Sequence, residues 1–440
     1  MPAIEFVGQS ARDSDNIAGA PSRLLNCYRE PTAEGRHVLK PVKGLSDYVD
    51  LGGVFVRAMA TVDGKLFVVS GGRLYQIQSR ATVFDRGPMA TGQTTIAGNN
   101  GVVTVCVDGR YWTLTGSTLA EPAAGAFSDC GALDYIGNYT VITERAGRRF
   151  QWSDIADAND LPGLNFSEAD GRDDNILRPF AIQGRLYLWK ETSHEVWYPT
   201  GGAGAEAFER VAGGVQDIGL KSVGLICAVP GGAFVIGDDN RAHLVSGGGL
   251  QPVSTPPVET AIASGAGTAC VAYEDEGHTF CAIVFSDRPA WVYDIATGEW
   301  HERSEGVGHQ PWGVSATAKW RGGWYAGRND GKVFAIAGNT DGGLPVTKEV
   351  VSRTLRMAQR GIVRSVEAFP RKGLETGEIT LSTSRDEGVS WGPEKAREVG
   401  PLGATEHRVI WRNLGQFRSV NARLRWDGAF AVRADGEVMT

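Results

Sequence analysis

Short apolar runs, rich in β-branched and aromatic residues and bounded by glycine, recur along the chain. Leu66-Phe67-Val68-Val69 is followed, beyond Gly71-Gly72, by Leu74-Tyr75-Gln76-Ile77. Val102-Val103-Thr104-Val105 is followed by Tyr111-Trp112-Thr113-Leu114, and Leu186-Tyr187-Leu188-Trp189 by Glu195-Val196-Trp197-Tyr198. Runs this short, with turn residues at both ends, predict strands. The turns sit at Asp63-Gly64, Asn100-Gly101, Gly137-Asn138, Gln183-Gly184, Gly231-Gly232, Glu276-Gly277 and Gly322-Gly323. Their first residues stand 37, 37, 46, 48, 45 and 46 apart. That spacing is the period of β-propeller blades, and Asx-Gly supplies the positive φ of a tight hairpin. Seven strand–turn–strand units are expected between 56 and 336; if one is a partial or closing unit, six blades remain.

One helix is predicted. Thr255-Pro256-Pro257-Val258-Glu259 reads as an N-cap followed by prolines suited to a first turn, continuing to Ser264. Beyond 350 the strand pattern resumes without the repeat, at Glu378–Leu381, Arg408–Trp411 and Asn421–Trp426. The expected organisation is all-β: an extended lead-in over 1–50, a β-propeller over 51–345, and a small β-rich domain, sandwich or added sheet, over 346–440.

Composition agrees with many turns between aromatic strands: 59 Gly, 19 Pro and 12 Trp in 440 residues. The aromatic residues read as the filling of the wedge between neighbouring blades, not as a ligand cage. The net charge is −7, the wrong sign for a protein that grips DNA by its phosphates. It is unevenly spread: residues 351–440 hold 15 Lys/Arg and 11 Asp/Glu, or +4, which leaves −11 on residues 1–350. That break coincides with the loss of the repeat.

The six cysteines form no C-x-x-C pair and sit among apolar strand residues, so buried free thiols are expected and zinc is not. The opening MPAIEFVGQSARDSD has no basic or apolar signal region, and no apolar run approaches the ~20 residues that span a bilayer. No cofactor is expected.

The sharpest local motif is Ser384-Arg385-Asp386-Glu387-Gly388-Val389-Ser390-Trp391, an Asp-box. Ser384, Asp386, Gly388 and Trp391 are its structural residues: the carboxylate accepts N–H bonds inside the turn and the indole packs beneath the hairpin. Sialidase propellers carry several such boxes. This chain has one, outside the repeat, and no paired carboxylates stand out as a glycosidase would need. No catalytic, cofactor-binding or metal residue is assigned. The acidic stretch 154–175 (Asp154, Asp157, Asp160, Glu168, Asp170, Asp173, Asp174) lacks the EF-hand spacing and reads as a solvated loop. The seven scattered histidines read as structural. Gly201-Gly202-Ala203-Gly204 lacks a following Lys-Ser/Thr and reads as a loop, not a phosphate cradle.

Several segments, taken in order, resemble the packaged-DNA stabilisation, or tail accessory (nozzle), proteins of short-tailed bacteriophages. Ser22-Arg23 followed by Asn26-Cys27-Tyr28-Arg29-Glu30 is similar to that family's N-terminal signature. Pro41-Val42-Lys43-Gly44-Leu45 departs from the Pro-Thr-Pro-Gly-Leu that typically follows. Phe166, Ala169 and Asp174 resemble a segment that precedes its fourth unit, and Glu195–Gly201 resembles its Glu-Val-Trp-Tyr-x-x-Gly strand and turn. Val253-Ser254-Thr255 with Val258-Glu259 and Ala261-Ile262 resembles its helix start. Gly277-His278, Trp291-Val292-Tyr293-Asp294 with Thr297-Gly298 and Trp300, the Ser384–Trp391 turn and Val409-Ile410-Trp411 have counterparts too. The resemblance spans about 20–430. It implies a virion structural protein without enzymatic activity, assembled in the host cytoplasm into a homo-oligomeric ring, a hexamer. That ring would lie between the portal and adaptor above and the tail needle, fibre or spike below, with genomic DNA passing through. Two other readings stand beside it: a carbohydrate-binding or sialidase-like receptor-binding propeller, and a generic protein-binding propeller. The latter is disfavoured by the lack of Trp-Asp and kelch repeat signatures.

Overall fold

The computed structural model describes residues 3–439, apart from 5, 7, 12–21, 32–36, 123–126, 203, 248, 372, 374 and 404–406. Parts of the 1–50 lead-in, and Ala203 of the glycine-rich loop, therefore lie outside the described residues. Apart from one α-helix and one 3-10 turn, the described elements are strands. The chain is an all-β protein whose main body is a propeller.

Six blades each take four consecutive antiparallel strands from one stretch of chain. Blade 1 is Val56–Val62, Lys65–Ser70, Arg73–Ser79 and Thr82–Pro88; blade 2 runs from Thr94 to Ala120, blade 3 from Cys130 to Glu168, and blade 4 from Ile176 to Gln216. Blade 5 runs from Ile226 to Pro252 and blade 6 from Gly267 to Arg303. A composite unit closes the circle. Val314–Trp320, Gly323–Arg328 and Lys332–Ile336 supply three strands, and Leu45–Asp50 from the start of the chain pairs antiparallel with the last of them. The ring is thus fastened by hydrogen bonds between residues nearly 300 positions apart, which leaves only short blade edges exposed.

The hairpins explain the repeat. Asp63 and Gly64 have φ +48° and +70°, and Asn100 and Gly101 +47° and +79°, so both central residues occupy the left-handed region of a type I′ turn. Two turns stand one residue earlier than the Gly-Gly pairs suggest. Val229 pairs with Gly232 and Trp320 with Gly323, so the turn residues are Pro230-Gly231 and Arg321-Gly322. Proline fixes the first position of one turn, and Gly231 (φ +74°) takes the second. The predicted helix is Pro256–Ala263, between blades 5 and 6. Thr255 is its N-cap by backbone but makes no side-chain cap bond; Ser254 Oγ instead donates to Glu259 Oε1 at 3.0 Å.

Apolar side chains fill the wedges between blades, with Trp152, Trp189, Trp300 and Trp320 fully buried. Beyond the propeller, Leu355–Arg371, Ala431–Met439 and Val409–Arg412 form one sheet of a sandwich. Lys348–Val351, Gln416–Trp426, Glu378–Ser384 and Lys395–Glu398 form the other. The start of the chain is built into this sandwich. Ala3–Ile4 and His37–Pro41 pair with Ala431–Met439, and Ile4, Phe6, Leu24, Cys27 and Leu39 join its core. Arg23–Leu25 lies between Lys348–Val351 and the outer strand of blade 6, so sandwich and propeller share a hydrogen-bonded sheet.

Candidate functional site

The first strand of every blade faces the propeller axis, and together these strands enclose a channel of about 740 Å³. Polar groups on them hold each blade to the next. Arg57 Nη1 donates to Gly92 O (3.2 Å) between blades 1 and 2, and Leu133 N to Thr95 Oγ1 (2.9 Å) between 2 and 3. Ala181 N donates to Asp134 Oδ2 (2.8 Å), Arg178 Nη1 to Val223 O (2.8 Å) and Cys270 N to Gly224 O (2.8 Å) across the next three seams. Thr317 Oγ1 donates to Ala272 O (2.7 Å), and Thr61 Oγ1 to Lys319 O (2.8 Å) closes the circle. These polar groups of the wall are therefore committed to holding the ring. Burial raises the Asp134 carboxyl above its ordinary range and lowers the Arg178 guanidinium.

The Asp-box residues come together in one turn after the strand Glu378–Ser384. Ser384 Oγ donates to Asp386 Oδ1 at 2.7 Å and accepts the N–H of Gly388 at 2.8 Å. Asp386 Oδ1 accepts Ser390 N–H (2.9 Å) and its Oδ2 the Ser390 hydroxyl (2.5 Å). These bonds from Ser390 and Ser384 hold the Asp386 carboxyl down at about 2. Gly388 takes φ +90°. Trp391 is half-buried, and the Arg423 guanidinium lies over its ring at 4.4 Å. The turn is closed on itself, and its carboxylate is exposed.

The acidic stretch differs from a free solvated loop. Asp174 pairs with the buried Lys190 (2.9 Å), Asp170 with Arg210, and Glu168 and Asp173 both with Arg148. Among the described residues no group of three or more His, Cys, Asp or Glu could hold a metal ion. All six cysteines are free thiols, five of them buried. Four of the seven histidines, His194, His243, His278 and His301, are buried, and burial lowers His301 to about 3.

The segments that carried the resemblance act as connectors. Asn26 Oδ1 accepts Ser304 N–H at 2.9 Å and its Nδ2 donates to Thr347 O at 2.9 Å, so it touches both blade 6 and the sandwich. His278 bridges Glu30 (2.7 Å) and Asp294 (2.8 Å), and Asp294 also accepts the Thr297 hydroxyl (2.8 Å). Glu195 is fully buried and accepts Gly171 N–H (2.8 Å) and Trp197 Nε1 (3.2 Å).

A cluster of buried ions at the propeller–sandwich junction has no sequence motif. Arg23 pairs with Glu302 (2.8 Å) and Glu349 (3.5 Å), Arg425 with Glu349 (2.6 Å), and Arg303 with Asp341 (3.4 Å). Burial alone would raise Glu349, but His309, Arg23 and Arg425 outweigh it and hold the carboxyl at about 2. Of the basic residues further along, Arg356 pairs with Glu387, and Arg423 and Arg425 with Glu394. Arg360 and Arg418 are exposed and have no ion-pair partner among the described residues.

A family model described as bacteriophage P22 Gp10, beta-propeller, matches residues 5–340, and one described as bacteriophage P22 Gp10, beta-sandwich, matches residues 349–435. No curated protein matches the chain. Solved structures similar to it include the computationally designed Ika8 protein (15% identity, TM-score 0.44, covering 66% of this chain and 99% of that one). Others are the RRP9 WD40 repeats (12%, 0.45, 67% and 98%) and the extracellular domain of the putative hybrid two component system BT4673 from B. thetaiotaomicron (9%, 0.47, 67% and 40%).

Proposed function

The chain belongs to the bacteriophage P22 Gp10 family of phage stabilisation proteins, and from that membership we propose that it is the nozzle subunit of a short phage tail. A protein of this family is a structural component of the virion. In the proposed role, six copies close a ring beneath the portal and its adaptor, retain the packaged genome and let it through at ejection. The tail needle, fibre or spike follows below. Assembly takes place in the host cytoplasm, and the role needs neither catalysis nor a cofactor. The observation that carries the reading is the match of both family models, in order, over nearly the whole chain.

Two physical points support a ring. The channel inside one propeller is about 740 Å³, the scale of a small-molecule site. A DNA duplex does not fit there, so a conduit must be made between several copies. Closed cyclic contacts are the general way to build one. Residues 1–350 carry −11 and residues 351–440 carry +4, so head-to-tail contacts between unlike parts are favourable, and a mostly acidic wall does not trap phosphates. Arg360 and Arg418 are among the exposed basic groups of 351–440 without an ion-pair partner among the described residues, and so are available to an acidic neighbour.

The test is negative-stain microscopy of the purified chain mixed with portal–adaptor complexes. A six-fold ring below the adaptor is expected, and a chain that stays monomeric and unbound overturns the reading. Arg360→Glu with Arg418→Glu should weaken assembly most at low salt. Intact assembly with altered DNA retention would instead put those arginines on the conduit wall.

A further inference from the structure

We propose, building on the ring reading above, that copies of this chain join head to tail through two particular surfaces. One is the acidic outer turn of blade 3, and the other is the arginine-bearing edge of the sandwich on the next copy.

The blade 3 surface is the turn between Arg149–Trp152 and the outer strand Phe166–Glu168. Three aspartates are wound together in it. Asp154 N–H donates to Asp160 O (2.9 Å), Asp157 N–H to Asp154 O (3.3 Å) and Asp160 N–H to Asp157 O (3.4 Å). All three are exposed, and none has an ion-pair partner among the described residues. Gln151 pairs with Phe166, and Trp152 N–H meets Asn165 O at 3.0 Å, so Leu164 and Phe166 flank the foot of the turn from which Asp154 and Ile155 rise. Leu164 is 80% exposed, Ile155 54% and Phe166 40%. The turn is nonetheless fixed. Ala158 and Leu161 are buried, Tyr111 Oη donates to Ala158 O (2.7 Å) and Thr113 Oγ1 to Asn159 Oδ1 (2.7 Å), both from blade 2. Apolar side chains held out to solvent within a charged rim mark a surface made for a protein partner, and the rim selects a basic one.

The sandwich carries the complement. In Leu355–Arg371, Arg356 pairs with Ser419 and Gly361 with Phe417, so the four residues Met357–Arg360 stand opposite the single Arg418. Four against one cannot stay in the ladder, and the bulge presents Ala358, Gln359 and Arg360 to solvent beside Arg418. Arg385 is held at 5.2 Å from the centre of the neighbouring Phe417 ring. Arg360, Arg385 and Arg418 are exposed without an ion-pair partner among the described residues, and Ile362, just past the bulge, is 45% exposed.

The two surfaces cannot meet within one chain. Three seams separate blade 3 from blade 6 in one direction, and three separate it from the composite unit in the other. The sandwich is joined at blade 6 through Arg23–Leu25 and follows directly from the composite unit, so it stands across the propeller from blade 3. Unlike surfaces on opposite sides of one molecule make heterologous contacts, the kind that close into rings. DNA would occupy the arginines but leave the acidic apolar turn uncovered, whereas a second copy covers both.

The test is negative-stain microscopy and sedimentation of the whole chain added to portal–adaptor complexes at low salt. Three forms are compared with the unaltered chain: Asp154→Arg with Asp160→Arg, Arg360→Glu with Arg418→Glu, and all four changes together. None of these side chains makes a hydrogen bond or ion pair among the described residues, so each form should melt as the unaltered chain does. Either pair alone sets like charges face to face and should weaken assembly at least tenfold. The four together exchange the signs of both surfaces and should restore it. An equimolar mixture of the two pair variants should restore it too, with the variants alternating around the ring. Rings from either pair variant as good as those of the unaltered chain overturn this interface and leave the ring reading standing. A loss with the arginine pair that the fourfold exchange does not rescue puts Arg360 and Arg418 on DNA or the adaptor and also overturns it. An unaltered chain that forms no ring overturns both.

Discussion

The seams between blades and the junction between propeller and sandwich solve the same problem with different chemistry. Around the axis each blade meets its neighbour through an apolar wedge and a few hydrogen bonds, mostly from hydroxyls and backbone groups, such as Thr317 Oγ1 to Ala272 O and Leu133 N to Thr95 Oγ1. At the junction the chain buries Arg23 with Glu302 and Arg303 with Asp341, and pairs the buried Glu349 with the half-buried Arg425. A propeller repeats one interface, so shape alone places each blade. The junction joins unlike folds once, through the short strand Arg23–Leu25, and a slipped strand there would leave Glu302 or Glu349 buried without its guanidinium, at several kcal/mol. Polar specificity is thus concentrated where the architecture does not repeat.

Breaking the junction should have the largest effect. Glu349→Ala takes one carboxylate from both Arg23 and Arg425, and should cost about 3 kcal/mol, the low end for breaking a buried pair, because Arg23 keeps Glu302 and Arg425 keeps Glu394. Urea denaturation should show the loss. A value under 1 kcal/mol would mean that water reaches the cluster. The same carboxyl makes the junction acid-sensitive. Its folded pKa, about 2, lies below its ordinary 4.5, so its stabilisation is fully present above pH 4.5 and disappears as pH falls through 2. That difference corresponds to about 3 kcal/mol. Lys348 works in the opposite sense at the alkaline end. Burial lowers it to about 8 from 10.5, so the penalty for its charge should fade as pH rises from 8 to 10.5. Melting followed across pH on the unaltered chain and on Glu349→Gln should show the acid-dependent part vanish in the variant.

The seams should fail by shape. Gly98 lies against blade 1, and a Cβ there would stand 2.5 Å from Val62 Cγ1 and 2.7 Å from Cγ2. Gly98→Ala should therefore destabilise by about 1–3 kcal/mol through overpacking, with no dependence on pH or salt between pH 5 and 8. Thr317→Val removes one seam hydrogen bond with little change of shape and should cost about 1 kcal/mol. A cost at Thr317 larger than at Glu349 would reverse the contrast between the two regions.

The same contrast governs what was legible in the sequence. Local geometry could be read: Asp63-Gly64 and Asn100-Gly101 need positive φ, and Thr255-Pro256-Pro257 starts a helix. Where two glycines adjoin, the turn was displaced by one residue, because either can take the left-handed position and only the cross-strand register decides. Leu45–Asp50 looked like part of a lead-in, since nothing in its six residues marks the strand that it joins near 332–336. The ions of the junction were invisible for a related reason. Arg23 and Glu302 are 279 positions apart, and a buried pair leaves no periodicity. Arg57 and Arg178 have no motif either, since a seam clamp is assembled from residues of two blades.

The smallest effect is expected at the most recognisable motif. The Asp-box was legible as a turn because its residues are neighbours and its bonds are local. Asp386 accepts from Ser384 and Ser390, within four positions on either side. The same locality limits its worth. The carboxylate is exposed, so solvent replaces much of what a substitution removes. Asp386→Ala should lower the melting temperature by less than Thr317→Val. The difference from the unaltered chain should be present above pH 4 and shrink as pH falls through about 2, because the depressed carboxyl stabilises only while ionised. Ring assembly on portal–adaptor complexes should be unchanged, since the turn satisfies itself and leaves Arg360 and Arg418 untouched. A melting loss as large as that of Glu349→Ala would show that the turn supports the Arg423–Trp391 contact and, through Arg423, the charged strand Gln416–Trp426 of the sandwich. The line between a self-contained turn and the cooperative junction would then have to be redrawn to include it.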